Sequence, residues 1–521
     1  MKEKKPSFKA YQQHQMSMIP INLEELISPT HMVRVIDRAI EKMDMTPLMS
    51  QYEGGGAPAY HPVMMLKVIV YAYADKIYSS RRIAKATREN IHFMWLTGNT
   101  SLDFMTINRF RGERLKGIIE DIFTEVVKLL IDEEYVKFEN YFLDGTKIEA
   151  NASKYSWVWG KNTHRNMKNL REKVIEHLKE IDIIEDLENA EFADADLPET
   201  GNGKEINSEA IEEFAKKVDE RLSENPDSKP LRKAKKAIEK DYLPRMEKYE
   251  NQLEILEERK SYSKTDTDAT FMRMKEDHMK NGQLKPGFNV QIGTEDQFIT
   301  GYSIHQKPGD TTTMKGHIEK VKHQMDGKFP KNVITDAGYG SEQNYDDILS
   351  NRKREALITY NMYIKEQQKK YKQNEFNIAN WDYDEENDRY TCPNQQQLEF
   401  KYRTTKTDKY DFTREFKVYE CEDCSECPLR SLCTKAKEGN NRKLMVNEKW
   451  EQQKEYVRAK LSEEKTSTLY RQRKIDVEPV FGFLKANLRF TRFSVRGKSK
   501  VENEMGIALM AVNLRKFTAI S

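Results

Sequence analysis

Three acidic side chains stand where a carboxylate can meet a ligand. Asp144 follows the apolar run YFL and comes directly before Gly145 and Thr146, a pattern that predicts a carboxylate at the end of a strand. Asp336 repeats this arrangement between NVIT and AGYG, where a Gly-rich turn lets the backbone approach a ligand. Glu478 lies in a basic helical segment. Each acid alone also has an ordinary explanation, because Asp often ends a strand and a helical Glu pairs with Lys at helical spacing.

Together the three acids indicate metal-dependent chemistry on a phosphodiester. Two divalent ions need several hard oxygen ligands that converge from different elements. One ion would activate a water or a 3′-hydroxyl, and the other would stabilise the leaving oxygen. We therefore predict that Asp144, Asp336 and Glu478 are the ligands of two divalent cations.

Basic residues are concentrated in three stretches that could contact a phosphate backbone. Residues 465–500 hold ten Lys or Arg and two acids, and residues 79–90 and 106–116 are also basic. The candidates in the two N-terminal stretches are Arg81, Arg82, Arg109 and Arg111. Short helices with basic ends are typical of a helix-turn-helix, whose second helix enters a major groove. A helical domain with ordinary solvated cations explains the same spacing.

Four of the five cysteines follow the spacing Cys421-x2-Cys424-x2-Cys427-x5-Cys433, and Cys392 precedes a proline upstream. Thiolates paired across short turns suit a tetrahedral zinc site. The spacing also fits an iron–sulfur cluster or no bound metal. An odd number of cysteines, four of them clustered, favours a reducing compartment over a disulfide framework.

Composition excludes several classes of protein. With 87 Lys and Arg against 85 Asp and Glu, the net charge is only +2, so a nucleic-acid surface must come from local clustering. The longest apolar run, residues 63–74, is short for a bilayer span and contains Lys67, and the first 16 residues lack the apolar stretch of a signal peptide. No phosphate-binding loop of the GxxxxGK[ST] type occurs. We expect a cytoplasmic protein without a membrane segment.

The elements that must position these residues can be read from the pattern. Apolar spacing predicts helices in 31–43, 61–74 and 115–130, and alternation predicts strands in 136–151 and 288–305. Further expected elements are a helix in 311–325, a strand in 332–339, a helix in 342–350, a strand in 355–360, and helices in 470–488 and 503–520. This order indicates an α/β fold with a mixed sheet and helices on both faces.

Changes of composition divide the chain into six segments. We expect an N-terminal all-α DNA-binding domain, a catalytic domain in three parts, a charged helical insertion with a break at Pro244, and a Cys-rich insertion. Their bounds are 1–135 for the helical domain, 136–158, 262–362 and 446–521 for the catalytic parts, 159–261 for the helical insertion and 363–445 for the Cys-rich insertion.

Several motifs carry a family resemblance. LDGT (143–146), TDAGYG (335–340) and the spacing Tyr470-x2-Arg473-x4-Glu478-x6-Lys485 resemble the DDE signature of bacterial insertion-sequence transposases. Three longer blocks resemble the group usually labelled eleven-eighty-two, with an InsH-like N-terminal domain: YHPVMMLKVIVYAY (60–73), DATFMRMKEDHMKNGQLKPGFNVQI (268–292) and VEPVFGFLKANLRFTRFSVRGKSKVENE (477–504). One position departs from the usual pattern, because Lys474 stands where Arg is expected, beside Arg473.

The resemblance implies a ribonuclease H-like catalytic domain, with Asp144 on its first strand, Asp336 on its fourth and Glu478 on a late helix. It implies two Mg²⁺ or Mn²⁺ ions at these acids. By the same resemblance, four cysteines form a zinc site, with Cys421 as an extra residue: Cys392, Cys424, Cys427 and Cys433. The DNA contacts expected in the C-terminal block are Tyr470, Arg473, Lys474, Lys485, Arg489, Arg492 and Arg496.

The resulting expectation is a DNA transposase that binds terminal inverted repeats, cleaves the element ends and joins them to target DNA. Its partners would be double-stranded DNA and a second copy of the chain in a synaptic homodimer, and it would associate with the bacterial nucleoid when bound to DNA. Two alternatives stay open: a metal-dependent nuclease of the same fold, and a catalytically inactive DNA-binding derivative. Asp266, Asp268 and Asp310 are further acids near the expected sheet, and we assign them supporting or structural roles.

Overall fold

The computed structural model describes residues 22–52, 58–180, 206–274 and 282–520. Thirteen strands lie within these described ranges: β1 (Asn140–Glu149), β2 (Trp157–Trp159), β3 (Ser261–Ser263), β4 (Thr270–Arg273), β5 (Leu284–Glu295), β6 (Phe298–His305), β7 (Asn332–Thr335), β8 (Glu355–Ile358), β9 (Asp382–Asp384), β10 (Arg389–Thr391), β11 (Gln397–Thr407), β12 (Thr413–Cys421) and β13 (Lys443–Val446).

A six-stranded mixed sheet forms the centre of the fold. Its order is β4-β5-β1-β7-β8, and β6 pairs with β5. β1 runs antiparallel to β5 and parallel to β7, and β8 continues the parallel side. The short strands β7 and β8 are almost entirely buried, as expected for parallel strands covered on both faces. The prediction of a mixed sheet is confirmed.

Helices cover both faces of this sheet. On one face, the Met314–Gln324 and Glu448–Ser462 helices pack against the sheet in one apolar cluster. On the other face, the Glu464–Gly482 helix places Val477 against Phe142 and its neighbours on β7 and β8. Successive side chains of a strand point to opposite faces, so alternate residues of β1 pack against one or the other of these two helical layers. A short helix and a π-helical turn, Glu342–Tyr345 and Asp346–Asn351, connect β7 to β8.

Helices precede β1 and share their core with the C-terminal helix. Within the described residues they are Leu23–Leu26, Met32–Lys42, Thr46–Met49, Pro62–Ala74, Ser80–Glu89, Ile91–Leu96, Phe104–Arg109 and Ile119–Asp132, with a π-helical turn at Phe110–Arg114. The Pro62–Ala74 helix, buried along most of its length, packs against the Lys498–Ile520 helix. A Cβ at Gly506 would lie 2.6 Å from Ile119 Cγ1, so this glycine permits the close approach of two helices. The helices before β1 therefore belong to one apolar core with β5, β6 and the C-terminal helices.

A helical segment with its own small core lies between β2 and β3. The two strands pair as its base, and the helices are Gly160–Glu180, Ser208–Glu224, Lys229–Ala237 and Leu243–Leu256, with a π-helical turn at Ile238–Tyr242. Pro244 does not break the helix as predicted. It lies in the first turn of Leu243–Leu256, where a missing N–H is tolerated, and the π-helical turn joins that helix to the preceding one.

A second sheet, antiparallel throughout, carries the cysteines. Its order is β13-β12-β11-β10-β9, and its small apolar cluster contains Cys392, Cys421 and Cys424. The short helices of this part are Tyr363–Glu366, Lys369–Lys372 and Arg430–Cys433, with a 3₁₀ turn at Ile378–Asn380. The last stretch of π-helix, Phe483–Asn487, extends the Glu464–Gly482 helix. Across the described ranges, no helix is both long and apolar enough to cross a membrane.

Candidate active site

The two aspartates lie side by side at one end of the sheet. β1 and β7 are parallel, and Phe142 pairs with Ile334. Asp144 comes two residues after that pair within β1, and Asp336 comes two residues after it, directly beyond the end of β7. Both carboxylates are close enough to Tyr339 to affect its hydroxyl, so the two acids lie near each other. Each carboxylate accepts a nearby backbone N–H, from Gly145 at 2.7 Å and from Gly338 at 2.9 Å. The two strands thus place one carboxylate each at the same end of the sheet.

Tyr339 lies close to three carboxylates. Burial raises the pKa of its hydroxyl well above 10, and the negative charges of Asp310, Asp144 and Asp336 raise it further. Asp310 Oδ1 accepts hydrogen bonds from the buried Asn289 Nδ2 at 2.8 Å and from the amide of Gln291 at 2.9 Å. The structure therefore brings Asp310 near the aspartate pair. Sequence reasoning gave it a supporting role, and its only signal was a Pro-Gly turn before a helix.

Arg473 supplies positive charge beside Asp144. Its guanidinium nitrogen lies 4.0 Å from Asp144 Oδ2, and both side chains are nearly buried, with 12% and 13% of their surfaces exposed. Arg473 Nε is buried and has no hydrogen-bond partner in the described part of the chain. A second residue of the same motif, Tyr470, exchanges a hydrogen bond with Thr359 at 2.9 Å.

Glu478 lies on the Glu464–Gly482 helix, which crosses the face that bears the two aspartates. Its neighbour Val477 packs on Phe142, whereas Glu478 itself is exposed. Another acid of this helix, Asp476, faces inward and accepts a hydrogen bond from Thr294 at 2.5 Å. Burial raises the pKa of Asp476. In the ranges that the structure describes, no three His, Cys, Asp or Glu side chains stand close enough to hold a metal ion.

The C-terminal basic side chains surround the end of β1. Lys485 Nζ donates to the backbone oxygen of Lys147 at 3.2 Å, and Arg496 Nε donates to that of Asn151 at 2.8 Å. Arg492 Nε donates to the oxygen of Ala150 at 3.3 Å. Lys474 and Arg489 are exposed. These cations therefore lie beside the strand that carries Asp144.

One predicted DNA contact, Arg111, must be corrected. Only 4% of its surface is exposed, and its guanidinium lies 3.6 Å from the fully buried Glu504 carboxylate. It also donates to the Tyr73 hydroxyl at 2.8 Å and the Tyr78 carbonyl at 2.9 Å. Burial first, and then the charge of Glu504, raises the pKa of Tyr73 well above 10. The Arg111 side chain therefore stabilises the buried core and does not lie on the surface where it could contact DNA.

The other N-terminal candidates are on the surface. Arg81 and Arg82 are exposed on the Ser80–Glu89 helix, where the Arg81 guanidinium lies 5.3 Å from the centre of the Phe104 ring. Arg109 is exposed and lies 4.0 Å from Glu113. All three can reach a phosphate without unfolding the helices that carry them. The sequence pattern did not separate these side chains from Arg111, which is also in a basic stretch.

All five cysteines line one cavity of about 20 Å³. Backbone N–H groups donate to Cys392 Sγ at 3.3 Å, from Gln396, and to Cys424 Sγ at 3.4 Å, from Arg442. The Arg442 guanidinium donates to Cys433 Sγ at 2.7 Å. Cys421 differs, because its thiol donates to the oxygen of Asp423 at 3.7 Å. Burial, followed by the adjacent Cys424, raises the pKa of Cys421 to about 12.

Comparison with known proteins adds independent findings. Among curated proteins, the chain is 43% identical over 74 residues to the Type II restriction enzyme CeqI of Rhodococcus hoagii. This match covers 14% of the chain and 24% of that protein. No solved structure matches the chain.

Two family models match larger parts of the sequence. The model described as "Transposase DDE domain" matches residues 391–518, which include Glu478 and the five cysteines. The model described as "Transposase domain (DUF772)" matches residues 21–113. With a transposase domain matched near each end, the two matches support recognition of the chain as an insertion-sequence DDE transposase.

Proposed function

We propose that the chain binds the terminal inverted repeats of its own insertion sequence, cleaves the DNA there and joins the ends to target DNA. The observation that carries this proposal is the position of Asp144 within β1 and of Asp336 directly after the parallel neighbour β7, under the helix that bears Glu478. The proposed sites of action are the cytoplasm and the nucleoid, with two copies of the chain holding the two ends.

The carboxylate chemistry of the three acids suits Mg²⁺ or Mn²⁺, because both ions prefer carboxylate oxygens. In the described residues the three side chains do not yet stand close enough to hold an ion, so Glu478 would have to approach the aspartates when metal binds. When bound, the ions would activate the attacking oxygen and stabilise the leaving oxygen. Asp144 and Asp336 would hold them from the sheet and Glu478 from the helix. Arg473 keeps positive charge beside Asp144, so it can help to neutralise a phosphate bound at the same place.

A ribonuclease H-like architecture is part of this proposal. Apart from the short β4, the main sheet has the order β6-β5-β1-β7-β8, with the first three strands antiparallel and the last two parallel to β1. In this order Asp144 lies on the first strand along the chain, and Asp336 follows the fourth. Both positions are those that the family resemblance implies.

The test is incubation of the purified protein with labelled element ends and Mg²⁺, followed by sequencing of the products. We expect cleavage at the ends and, with target DNA present, joined products. A metal-dependent nuclease is the second candidate, favoured by the local match to a restriction enzyme. Cleaved ends that never join to target DNA would identify the nuclease, and binding without cleavage would identify an inactive derivative.

We also propose that the cysteine cavity holds one structural zinc ion through Cys392, Cys424, Cys427 and Cys433, whose sulfurs would have to draw closer together than they stand in the described residues. Three of these sulfurs already accept N–H donors, as ligand thiolates do, whereas Cys421 acts as a donor. The cavity has room for about one small occupant. The surrounding sheet has a small apolar cluster, so zinc binding would add folding free energy that this part otherwise lacks.

Zinc content checks this second proposal. We expect about one zinc per chain as purified, because a structural site is filled during folding. Cys424→Ser and Cys427→Ser should each release the metal and expose residues 363–445 to protease, whereas Cys421→Ser, the matched control, should keep it. Elemental analysis gives the reading. Protein that contains no zinc, or that contains iron with acid-labile sulfide, would contradict the assignment.

A further inference from the structure

A basic groove opens beside the aspartate pair. Its volume is about 540 Å³, and it lies between the base of the helical segment, the strands β4 and β5, and the turn between β11 and β12. The lining includes one acid, Glu258, and six cations: Lys147, Arg259, Lys260, Arg273, Lys307 and Lys409. None of these six was among the DNA contacts expected from sequence, because five separate segments contribute them.

The groove is connected to the candidate active site by direct contacts. Thr311 lines the groove, and its hydroxyl donates to the oxygen of Gly338 at 2.7 Å. The N–H of Gly338 in turn donates to Asp336 Oδ1 at 2.9 Å. On the neighbouring strand, Lys147 lines the groove three residues after Asp144. The Thr311–Gly338–Asp336 contacts therefore connect the groove to the edge of the aspartate pair, whereas the Lys147 side chain points to the face of β1 opposite the Asp144 carboxylate.

Three aromatic residues line the groove together with the cations: Trp159, Phe271 and Tyr410. Tyr410 has two ammonium groups over its ring, Lys307 and Lys409, each 4.6 Å from the ring centre. Across the groove, Trp159 is half-buried, and its ring centre lies 6.0 Å from that of Phe271. Arg259 Nε is buried and lacks a hydrogen-bond partner in the described ranges. A positive groove with aromatic platforms is the combination that binds a single nucleic-acid strand, because phosphates meet the cations and bases stack on the rings.

We propose that this groove holds an unpaired DNA strand next to the scissile phosphate. The inference rests on the proposed transposase function and adds to it the path of the substrate. The phosphates contact the exposed Lys260 and Arg273, and a base stacks on Trp159. Cleavage chemistry at Asp144 and Asp336 would then act on a strand already separated from its complement.

Binding of a short labelled oligothymidine tests the proposal, with Asp336→Asn as the parent so that no DNA is cut. Adding Lys260→Gln and Arg273→Gln together should weaken binding, and the slope of log affinity against log salt should become shallower by about 0.7 for each phosphate that the protein no longer neutralises. Lys216→Gln with Lys217→Gln, on the helical segment outside the groove, is the matched control and should bind as the parent does.

Stacking is tested at Trp159. Trp159→Ala should weaken oligothymidine binding on the order of 5- to 100-fold, and Trp159→Phe, which keeps an aromatic face, should restore most of it. Unchanged affinity and salt slope in the Lys260 and Arg273 variant would overturn the proposal. An equal loss on duplex ends and on the single strand would also overturn it, because duplex would then occupy the groove. The proposed function fails separately, if wild-type protein neither binds nor cleaves element ends.

Discussion

Asp144→Asn and Asp336→Asn should each lower cleavage of element ends on the order of 10²- to 10³-fold or more, with end binding nearly unchanged. Glu478→Gln should behave in the same way. The reason is that these carboxylates act in the chemical step, whereas duplex affinity comes mainly from phosphate contacts made elsewhere. Single-turnover cleavage of labelled ends, measured beside binding of the same ends, separates the two quantities.

Matched control variants test whether the loss of cleavage is specific to these three carboxylates. Asp326→Asn changes an exposed acid remote from the pair, and Glu464→Gln changes an exposed acid on the same helix as Glu478; both should cleave as the wild type does. The Asp144→Asn/Asp336→Asn double variant should lose little more than either single variant, because residues that act as one unit are not additive. Cleavage near the wild-type rate in any single variant would remove that residue from the catalytic set.

The Asp310→Asn variant tests whether Asp310 only positions the site or takes part in the reaction. Asp310 lies near the aspartate pair, yet its carboxylate is held by Asn289 and Gln291 from β5. If Asp310 only positions neighbouring side chains, the cleavage rate of Asp310→Asn should fall far less than that of Asp144→Asn. A loss as large as that of Asp144→Asn would indicate that Asp310 acts directly on the reaction.

The elements of the central sheet were predictable because local patterns specify them. A short apolar run before Asp336 ends in a turn, so this acid could be placed at a strand end, directly after β7. The prediction that Asp144 ends a strand is wrong, because β1 continues through Gly145 and Thr146 to Glu149, paired with β5. The adjacency of the two acids could not be derived from local patterns. It depends on the parallel register between β1 and β7, which are separated by a long stretch of chain that includes the helical segment.

The burial of individual side chains was the other property that could not be predicted from the sequence. Arg109 and Arg111 are two residues apart in one basic stretch, and one is exposed while the other is buried against a C-terminal helix. The deciding contact, Glu504, is almost 400 residues away. The basic groove shows the same limit, because its cations come from segments that have no unusual charge when each is considered alone.

The buried pair of Arg111 and Glu504 joins the two ends of the chain. One Glu504 oxygen accepts the Tyr73 hydroxyl at 2.8 Å, and the other accepts the backbone N–H of Ser494 at 2.8 Å. The side chain of Asn503 donates to the backbone oxygen of Arg111 at 3.0 Å. The N-terminal part that matches a transposase domain is thus fixed to the last helix by a charged, solvent-excluded network.

Glu504→Gln should therefore lower the free energy of unfolding by about 3 to 5 kcal/mol, because it leaves the Arg111 charge buried without a counter-charge. Glu89→Gln is the matched control: its partner Lys85 lies 3.4 Å away, but both side chains are more than half exposed, and the change should cost at most about 1 kcal/mol. Arg111→Met combined with Glu504→Leu should recover much of the loss, since neither charge then remains. Urea unfolding of the four proteins gives the comparison. A Glu504→Gln protein as stable as the wild type would show that the network does not hold the two ends together.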